Sequence, residues 1–385
     1  MEKELDLGKI RTQINDVDDK ITELYLERLA LCDKVAEYKK KTGMKILDSS
    51  REQAVIDRLT SKAPESDAVA VSGLYKRIMQ ISRSRQATKV FERSQLMSDI
   101  TELYNNPTQF PDKASVACQG VKGSYSSIAC NILFKNPDPL YFENFQSVIS
   151  CVSSGLCQYG ILPFENSIYG SVSEVYEMLS RFDGFVVRSI KLPIHHALVT
   201  KKGTNLSQIK EIFSHAQAIG QCSEFLRKSN IKVTVCENTA IAARKVAESD
   251  RDDIAAICSE TCADEYGLSV LKKDLQNKPC NFTMFYCISK KPEIFPEINK
   301  VAIMFNIENV QGALEGVLSL FSLYEINLTK IESRPIPGKD FEFMFYAEAD
   351  TTALTDDLVK LFTTLENELP FFKFMGAYKE VTPEN

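Results

Sequence analysis

Apolar residues at Ile10, Ile14, Val17, Ile21, Leu24, Leu31, Val35 and Tyr38 recur at alternating spacings of four and three, and Arg28 occupies the one remaining position of that series. This period describes one long amphipathic helix over about residues 8–40 whose apolar seam packs against other helices. A guanidinium placed in such a seam costs on the order of several kcal/mol unless an anion compensates it. Lys39 lies eleven residues after Arg28, which at 3.6 residues per turn brings the two cations within ~20° of one another on one face. Arg11, seventeen residues before Arg28, projects ~100° away and serves another surface, such as the pocket of a partner chain.

A second helix opens at Asp48-Ser49-Ser50-Arg51-Glu52, where Asp48, Arg51 and Glu52 stand at i, i+3 and i+4 and share a face. A third, over about Val69–Gln95, turns Leu74, Ile78 and Ile81 inward and sets Ser82 and Gln86 four residues apart on one side. Structural explanations compete here: Ser49 with Glu52 matches a capping box, and Arg28 can pair with a carboxylate on a neighbouring helix. The spacing by itself describes a cationic pocket edged with oxygens, suited to a small dianion that carries a hydroxyl.

In this order across the first ninety residues, Arg11, Arg28, Lys39, Asp48, Arg51, Glu52, Ser82 and Gln86 resemble the all-helical chorismate mutase pattern. That resemblance implies a pericyclic rearrangement of chorismate to prephenate, with no proton transfer and no covalent intermediate. Such catalysis rests on holding the compact conformer and stabilising charge as the ether bond breaks. By similarity, Arg28 and a second protomer's Arg11 clamp the carboxylates with help from Ser82 and Arg51. Lys39 and Gln86 donate to the ether oxygen, while Asp48 and Glu52 hold the ring hydroxyl and the cations. A homodimer or larger homo-oligomer follows.

The chain has 385 residues, 44% of them hydrophobic and 25% charged, enough for two or three domains with ordinary cores. Residues 1–95 hold 19 Lys/Arg against 16 Asp/Glu, and the whole chain carries −6. Neither part has the basic stripe that tracks nucleic acid. No apolar stretch reaches the ~20 residues of a membrane span, and Met1-Glu-Lys-Glu-Leu-Asp6 lacks the apolar region of a signal peptide, so a cytoplasmic location is expected. The eleven cysteines are scattered singly and read as free thiols; Cys258 and Cys262 alone hint at a metal. Neither metal nor cofactor is expected.

Turn residues at 104–113 and 290–300 mark two joints. They divide the chain into a helical domain at 1–95, a linker at 96–113, a domain at 114–290 and a last one at 298–380. In the middle segment, short apolar runs at 115–118, 159–162, 194–199, 209–213, 232–236 and 254–258 alternate with helical periodicity, the pattern of α/β layering. Strand ends in such a sheet converge on one crevice. Gly120-Val-Lys-Gly123, Glu165-Asn166-Ser167, Ser214-His215, Thr239 and Ser259 all follow strands. A tight turn and ordinary N-caps account for several of these equally well, and spacing alone describes a site for a small polar anion.

The residues themselves resemble something narrower. Gly120-x-x-Gly123-Ser-Tyr, Pro163-Phe-Glu165-Asn166-Ser167 with Gly170 and Val172, His195-His196-Ala-Leu, Ser214-His215-x-Gln217-x-x-x-Gln221-Cys222, Thr239-Ala and Asn281-Phe-Thr283-Met-Phe285 look like the prephenate dehydratase domain. The resemblance implies a two-lobed, type II periplasmic-binding-like fold with its site between the lobes. It also implies loss of carbon dioxide and hydroxide from prephenate to give phenylpyruvate. Thr283 is then the leading catalytic residue, with Glu165, Asn166, Ser167, His215, Gln217 and Thr239 shaping the pocket; His195 and His196 also read as ordinary strand residues. The family's Thr-Arg-Phe is Thr283-Met284-Phe285 here, and strand alternation points Met284 away from Thr283.

The last segment reads strand, helix, strand, strand, helix, strand: 301–307, a helix opened by Gly312-Ala313-Leu314, strands at 328–336 and 341–349, a helix from Thr355 and a strand at 372–378. Gly312-Ala313-Leu314 and Glu332-Ser333-Arg334-Pro335 resemble the phenylalanine-binding motifs of the ACT regulatory domain, although a glycine at 312 also serves close helix–strand packing. The expected fold is therefore multidomain: an all-α module, a two-lobed α/β domain and an α+β βαββαβ domain. Together they resemble bifunctional chorismate mutase/prephenate dehydratases with feedback inhibition by L-phenylalanine. Alternatives are a working mutase fused to a non-catalytic amino-acid sensor, and a dehydratase that prefers arogenate.

Overall fold

A computed structural model describes residues 6–278, 280–336, 338–339 and 342–383. The helical module consists of α1 (Leu7–Thr42), α2 (Ser49–Thr60) and α3 (Ala68–Val90). Asp6 caps α1 by accepting from the amides of Gly8 and Lys9, and Gly43 ends it with φ of 68°, a left-handed conformation that glycine adopts without a Cβ penalty. The expected period is present, but the expected packing is not found within one chain. Of α1 only Ala36 is buried, while Ile21, Leu24 and Leu31 are 58%, 66% and 53% exposed. The third helix stops at Val90, not at 95, because Phe91 turns to an extended conformation.

The supposed linker at 96–113 is also corrected. Its first half is a helix, α4 (Gln95–Asn105), capped by the Ser94 hydroxyl on the Met97 amide. Its apolar face carries Met97 and Ile100 into the core of the C-terminal domain, beside Val301, Ile303 and Leu358. Polar residues dominate 104–113 in composition, but the eleven-residue helix at 95–105 buries an apolar face.

The first α/β lobe comprises β1 (Ser115–Gln119), α5 (Tyr125–Leu133), β2 (Asp138–Phe142), α6 (Phe145–Ser154), β3 (Tyr159–Asn166), β4 (Gly170–Ser171), α7 (Ser173–Arg181) and β5 (Phe185–Pro193). The chain then enters a second lobe of β6 (Ala197–Thr200), β7 (Glu211–His215), α8 (Ala216–Gln221), α9 (Ser223–Ser229), β8 (Lys232–Cys236), α10 (Thr239–Glu248), β9 (Ile254–Cys258), α11 (Glu260–Tyr266) and β10 (Ser269–Lys272). It returns through β11 (Phe282–Ser289), which lies between β3 and β5. The run at 194–199 is therefore not one strand. Residues 194–196 form the crossover between lobes, where Ile194 still donates to the Asn281 carbonyl at 2.7 Å.

The C-terminal domain follows as β12 (Lys300–Asn306), α12 (Ala313–Leu323), β13 (Leu328–Pro335), β14 (Phe343–Asp350), α13 (Asp356–Glu368) and β15 (Phe371–Val381), in the element order expected. The strand anticipated from Phe341 begins at Phe343, and Phe341 lies outside the described residues. β15 pairs in parallel with β5, matching Lys379 to Arg188 and Val381 to Ile190, so one sheet runs from the first lobe into the C-terminal domain. Beside that junction the buried hydroxyls of Tyr346 and Tyr378 donate to Glu348 at 3.0 and 3.1 Å, and across it Tyr286 of β11 bonds to Tyr346. Among the described residues, no helix is long and apolar enough to cross a membrane.

Candidate active sites

In the helical module, α1 presents Arg28 to α3. One guanidinium nitrogen donates to Ser82 Oγ at 2.5 Å and the other approaches Met79 Sδ at 3.3 Å, while Ser82 donates to the Ile78 carbonyl at 2.7 Å. Lys39 is half-buried and donates to the Ile46 carbonyl at 2.6 Å. Among the described residues neither cation has an acidic partner within ion-pair distance, so the competing explanation, pairing with a helix carboxylate, is not observed for Arg28 or Lys39. Gln86 is buried, and its carboxamide oxygen finds no partner among the described residues. Glu52 is committed to Arg83.

Three expected ligands stand differently. Asp48 is the N-cap of α2, accepting from the Arg51 amide at 3.0 Å and the Ser50 hydroxyl at 2.8 Å, bonds that hold its carboxyl below the usual range. The cap thus belongs to Asp48 and not to the Ser49–Glu52 box. Arg51 and Arg11 are exposed, and nothing in the single chain brings Arg11 to Arg28.

The second site is the cleft between the α/β lobes, a cavity of about 240 Å³. The first lobe and β11 contribute Gln119, Ser124, Asn166 and Thr283; the second lobe contributes His215, Gln217, Asn238 and Thr239; the crossover adds His196. Asn166 fixes Thr283. Its Nδ2 donates to Thr283 Oγ1 at 3.0 Å and to Asn281 Oδ1 at 2.9 Å, while its Oδ1 accepts from the Ile168 and Tyr169 amides at 3.0 and 3.1 Å. Because Thr283 accepts from Asn166, its own O–H is left to donate elsewhere. Burial lowers the proton affinity of His215 and of His196, the latter partly offset by a 2.6 Å bond to Gln221. Among the described residues, no lysine or arginine lines the cleft. Negative charge there meets the N-termini of α5 and α10, whose caps are Ser124 and Asn238.

The sequence matches the family model for prephenate dehydratase over residues 116–293 and that for chorismate mutase type II over residues 10–87. A bifunctional chorismate mutase/prephenate dehydratase of Buchnera aphidicola subsp. Schizaphis graminum is 30% identical over 389 residues, covering 98% of both chains. The chain belongs to the bifunctional chorismate mutase/prephenate dehydratase family. An arogenate dehydratase/prephenate dehydratase of Arabidopsis thaliana is 32% identical over 77% of this chain and 81% of its own. A solved prephenate dehydratase from Arthrobacter aurescens, in complex with L-Phe, is 26% identical with a TM-score of 0.63 and covers 69% of this chain and 89% of its own.

The enzyme is thus a chorismate mutase and a prephenate dehydratase in one polypeptide, acting in phenylalanine biosynthesis. Within the dehydratase domain, two expected pocket residues do not line the cleft. Glu165 faces the C-terminal domain, where it meets Lys330 at 2.7 Å. The register of β3 against β11 slips between Met284 and Phe285, so that Phe164 is an extra residue; this bulge turns both Phe164 and Glu165 away from the cleft. Ser167 instead pins the sheet end, its amide donating to the Phe282 carbonyl at 2.8 Å and its hydroxyl accepting from the Phe282 amide at 2.9 Å. Met284 does point opposite to Thr283, packing on the core beneath the C-terminal sheet. Gly120 has φ of 99°, and its amide is taken by the Phe142 carbonyl at 2.7 Å, which favours the tight-turn reading of the glycine pair. His195 is exposed beside Asp274. Gln119 and Asn238 were not anticipated; Asn238 follows β8 and caps α10, the same strand-end signal that marked Thr239.

The two motifs of the C-terminal domain stand on different elements, the start of α12 and β13. Gly312 and Ala313 open α12 between a cavity of about 720 Å³ shared with Lys39 and Arg83 of the mutase module and an adjoining one of about 290 Å³ that Leu314 also lines. Glu332 and Arg334 pair with each other at 2.5 Å on β13, and Ser333 is exposed.

Proposed function

We propose that Arg28 and Lys39 carry the mutase reaction and Thr283 the dehydration. For the first, the supporting observation is a half-buried Arg28 bound to Ser82 without an acidic partner, since a charge so placed calls for an anion. Arg28 and Ser82 hold a carboxylate of chorismate, Lys39 and Gln86 stabilise the ether oxygen, and Arg51 and Glu52 complete the wall. A second copy covers the apolar face of α1 and brings its own Arg11 to the site, which makes the working unit a homodimer or larger.

For the second, the bond from Asn166 to Thr283 carries the reading. As the bond between the ring and its carboxylate breaks, that electron pair aromatises the ring and expels hydroxide from the opposite carbon. Thr283 donates a hydrogen bond to the departing oxygen, and the Asn166 amide stabilises the charge drawn onto Thr283 Oγ1. His215, Gln217 and Thr239 bind substrate from the second lobe. L-phenylalanine is the proposed regulator, acting at an ACT-type C-terminal domain through Gly312, Ala313, Leu314, Glu332, Ser333 and Arg334, as the L-Phe complex of the Arthrobacter relative supports. By binding one state better than the other it shifts the population. Eleven free thiols favour the reducing cytosol.

Thr283→Ala is expected to lower phenylpyruvate formation from purified prephenate by roughly 10²-fold or more while leaving chorismate consumption intact. An unchanged rate rejects its role. A cleft without lysine or arginine but with Glu237 on its wall also suits an ammonium, so arogenate is the second substrate to assay. A higher kcat/KM for arogenate decides for that reading.

A further inference from the structure

Lys330 of β13 reaches out of the C-terminal sheet into the dehydratase lobe. Its ammonium is 2.7 Å from Glu165 Oε2 and 3.3 Å from both Ser171 Oγ and Glu332 Oε2. It also lies 5.1 and 5.6 Å from the ring centroids of Phe164 and Tyr346, with its side chain 19% exposed. Glu165 immediately precedes Asn166, the residue whose carboxamide holds Thr283. Its register partner on β11 is Met284, which offers no charge. The cation for Glu165 therefore comes from another domain.

We propose that Lys330 is a positioning residue for the dehydratase reaction: it anchors Glu165 on the far side of the β3 bulge, and thereby fixes Asn166 against Thr283. This rests on the reading of the Thr283 cleft as the dehydratase site. Without Lys330 the Glu165 carboxylate is left half-buried and unpaired, which is costly, and turning it toward solvent moves the strand end that carries Asn166. Other charges near Lys330 cannot take over, because Glu332 is itself acidic and Arg334 is engaged with Glu332. The C-terminal sheet is in this way wired to the reacting group through one ion pair and one carboxamide.

The test uses the full-length enzyme with prephenate. Lys330→Met is expected to lower kcat at least tenfold with KM within twofold, and mutase turnover unchanged. Lys330→Arg restores kcat. So does either second change in the Lys330→Met background: Glu165→Gln, which removes the unpaired charge, or Met284→Arg, which resupplies a cation from the register partner. A purely structural lysine gives a loss that neither second change relieves, and that result, like a wild-type kcat in Lys330→Met, overturns the proposal. Should Lys330→Met fail to fold by circular dichroism, Lys330→Gln is read against the same rescues. Thr283→Ala separates the two levels: if it retains turnover, the cleft assignment fails, whereas if it is inactive while Lys330→Met is normal, only the role of Lys330 fails.

Discussion

Arg28 interrupts the apolar period of α1, and Lys39 follows it on the same face of that helix. Both sit where a helix face should be apolar or solvated, and both are half-buried with only neutral partners. Lys39→Ala is expected to reduce mutase kcat by about 10²–10³-fold, the usual cost of removing a donor aimed at developing charge, and to spare conversion of prephenate. Loss of both activities together contradicts separate sites. His196 gives a second test. Burial holds its folded pKa below the ordinary histidine value near 6.5, so between the two values the unfolded chain binds more protons than the native one. Its contribution to stability is therefore complete above about pH 6.5 and is lost as pH falls toward the folded pKa. Thermal melts between pH 7.5 and 5 should show a steeper decline in Tm for the native enzyme than for His196→Gln. Parallel curves exclude this contribution.

At the scale of elements, α1 exposes a continuous apolar face that a single chain leaves uncovered. Leu24→Glu, in the middle of that face, is expected to shift the enzyme toward monomer by light scattering and to abolish mutase turnover, because in the proposed dimer a second copy's Arg11 leaves with it. Dehydratase turnover should survive, and a fully active monomeric mutase would refute the shared site. What was legible from sequence follows from the same logic. The 4/3 period of α1, the strand alternation that turned Met284 from Thr283 and the strand ends that supplied Asn166, His215 and Thr239 are local regularities, and each was readable. Glu165 was misread because a single inserted residue, Phe164, reverses sidedness, and a bulge leaves no mark in composition. The helix over 95–105 was missed because its apolar face answers a core formed mainly by residues after Ile294. Asp48 was ambiguous for a chemical reason: the oxygen that caps a helix is also a good ligand.

At the scale of the whole molecule, the C-terminal domain touches both of the others. On one side α3, which bears Ser82 and Gln86 of the proposed mutase site, also bears Arg77 and Gln80, which donate to the Ser319 and Gly316 carbonyls of α12 at 3.2 and 2.9 Å. On the other, β15 closes onto β5 so that the C-terminal and dehydratase sheets become one. The second junction depends on Gly376, where a Cβ would stand 2.0 Å from the Val186 carbonyl oxygen. No rotamer relieves a clash with backbone, so Gly376→Ala must push the two strands apart and is expected to cost about 1–3 kcal/mol or more. The consequence differs between activities. Mutase turnover depends on α1, α2 and α3 and should persist, whereas dehydratase turnover should fall together with any response to L-phenylalanine, since Lys330 reaches Glu165 only while the sheets stay aligned. Assays of both reactions with and without L-phenylalanine, alongside a melt to measure the loss of stability, check this; a destabilised variant whose dehydratase remains fully active and fully inhibited would mean that the continuous sheet is not the route between the domains.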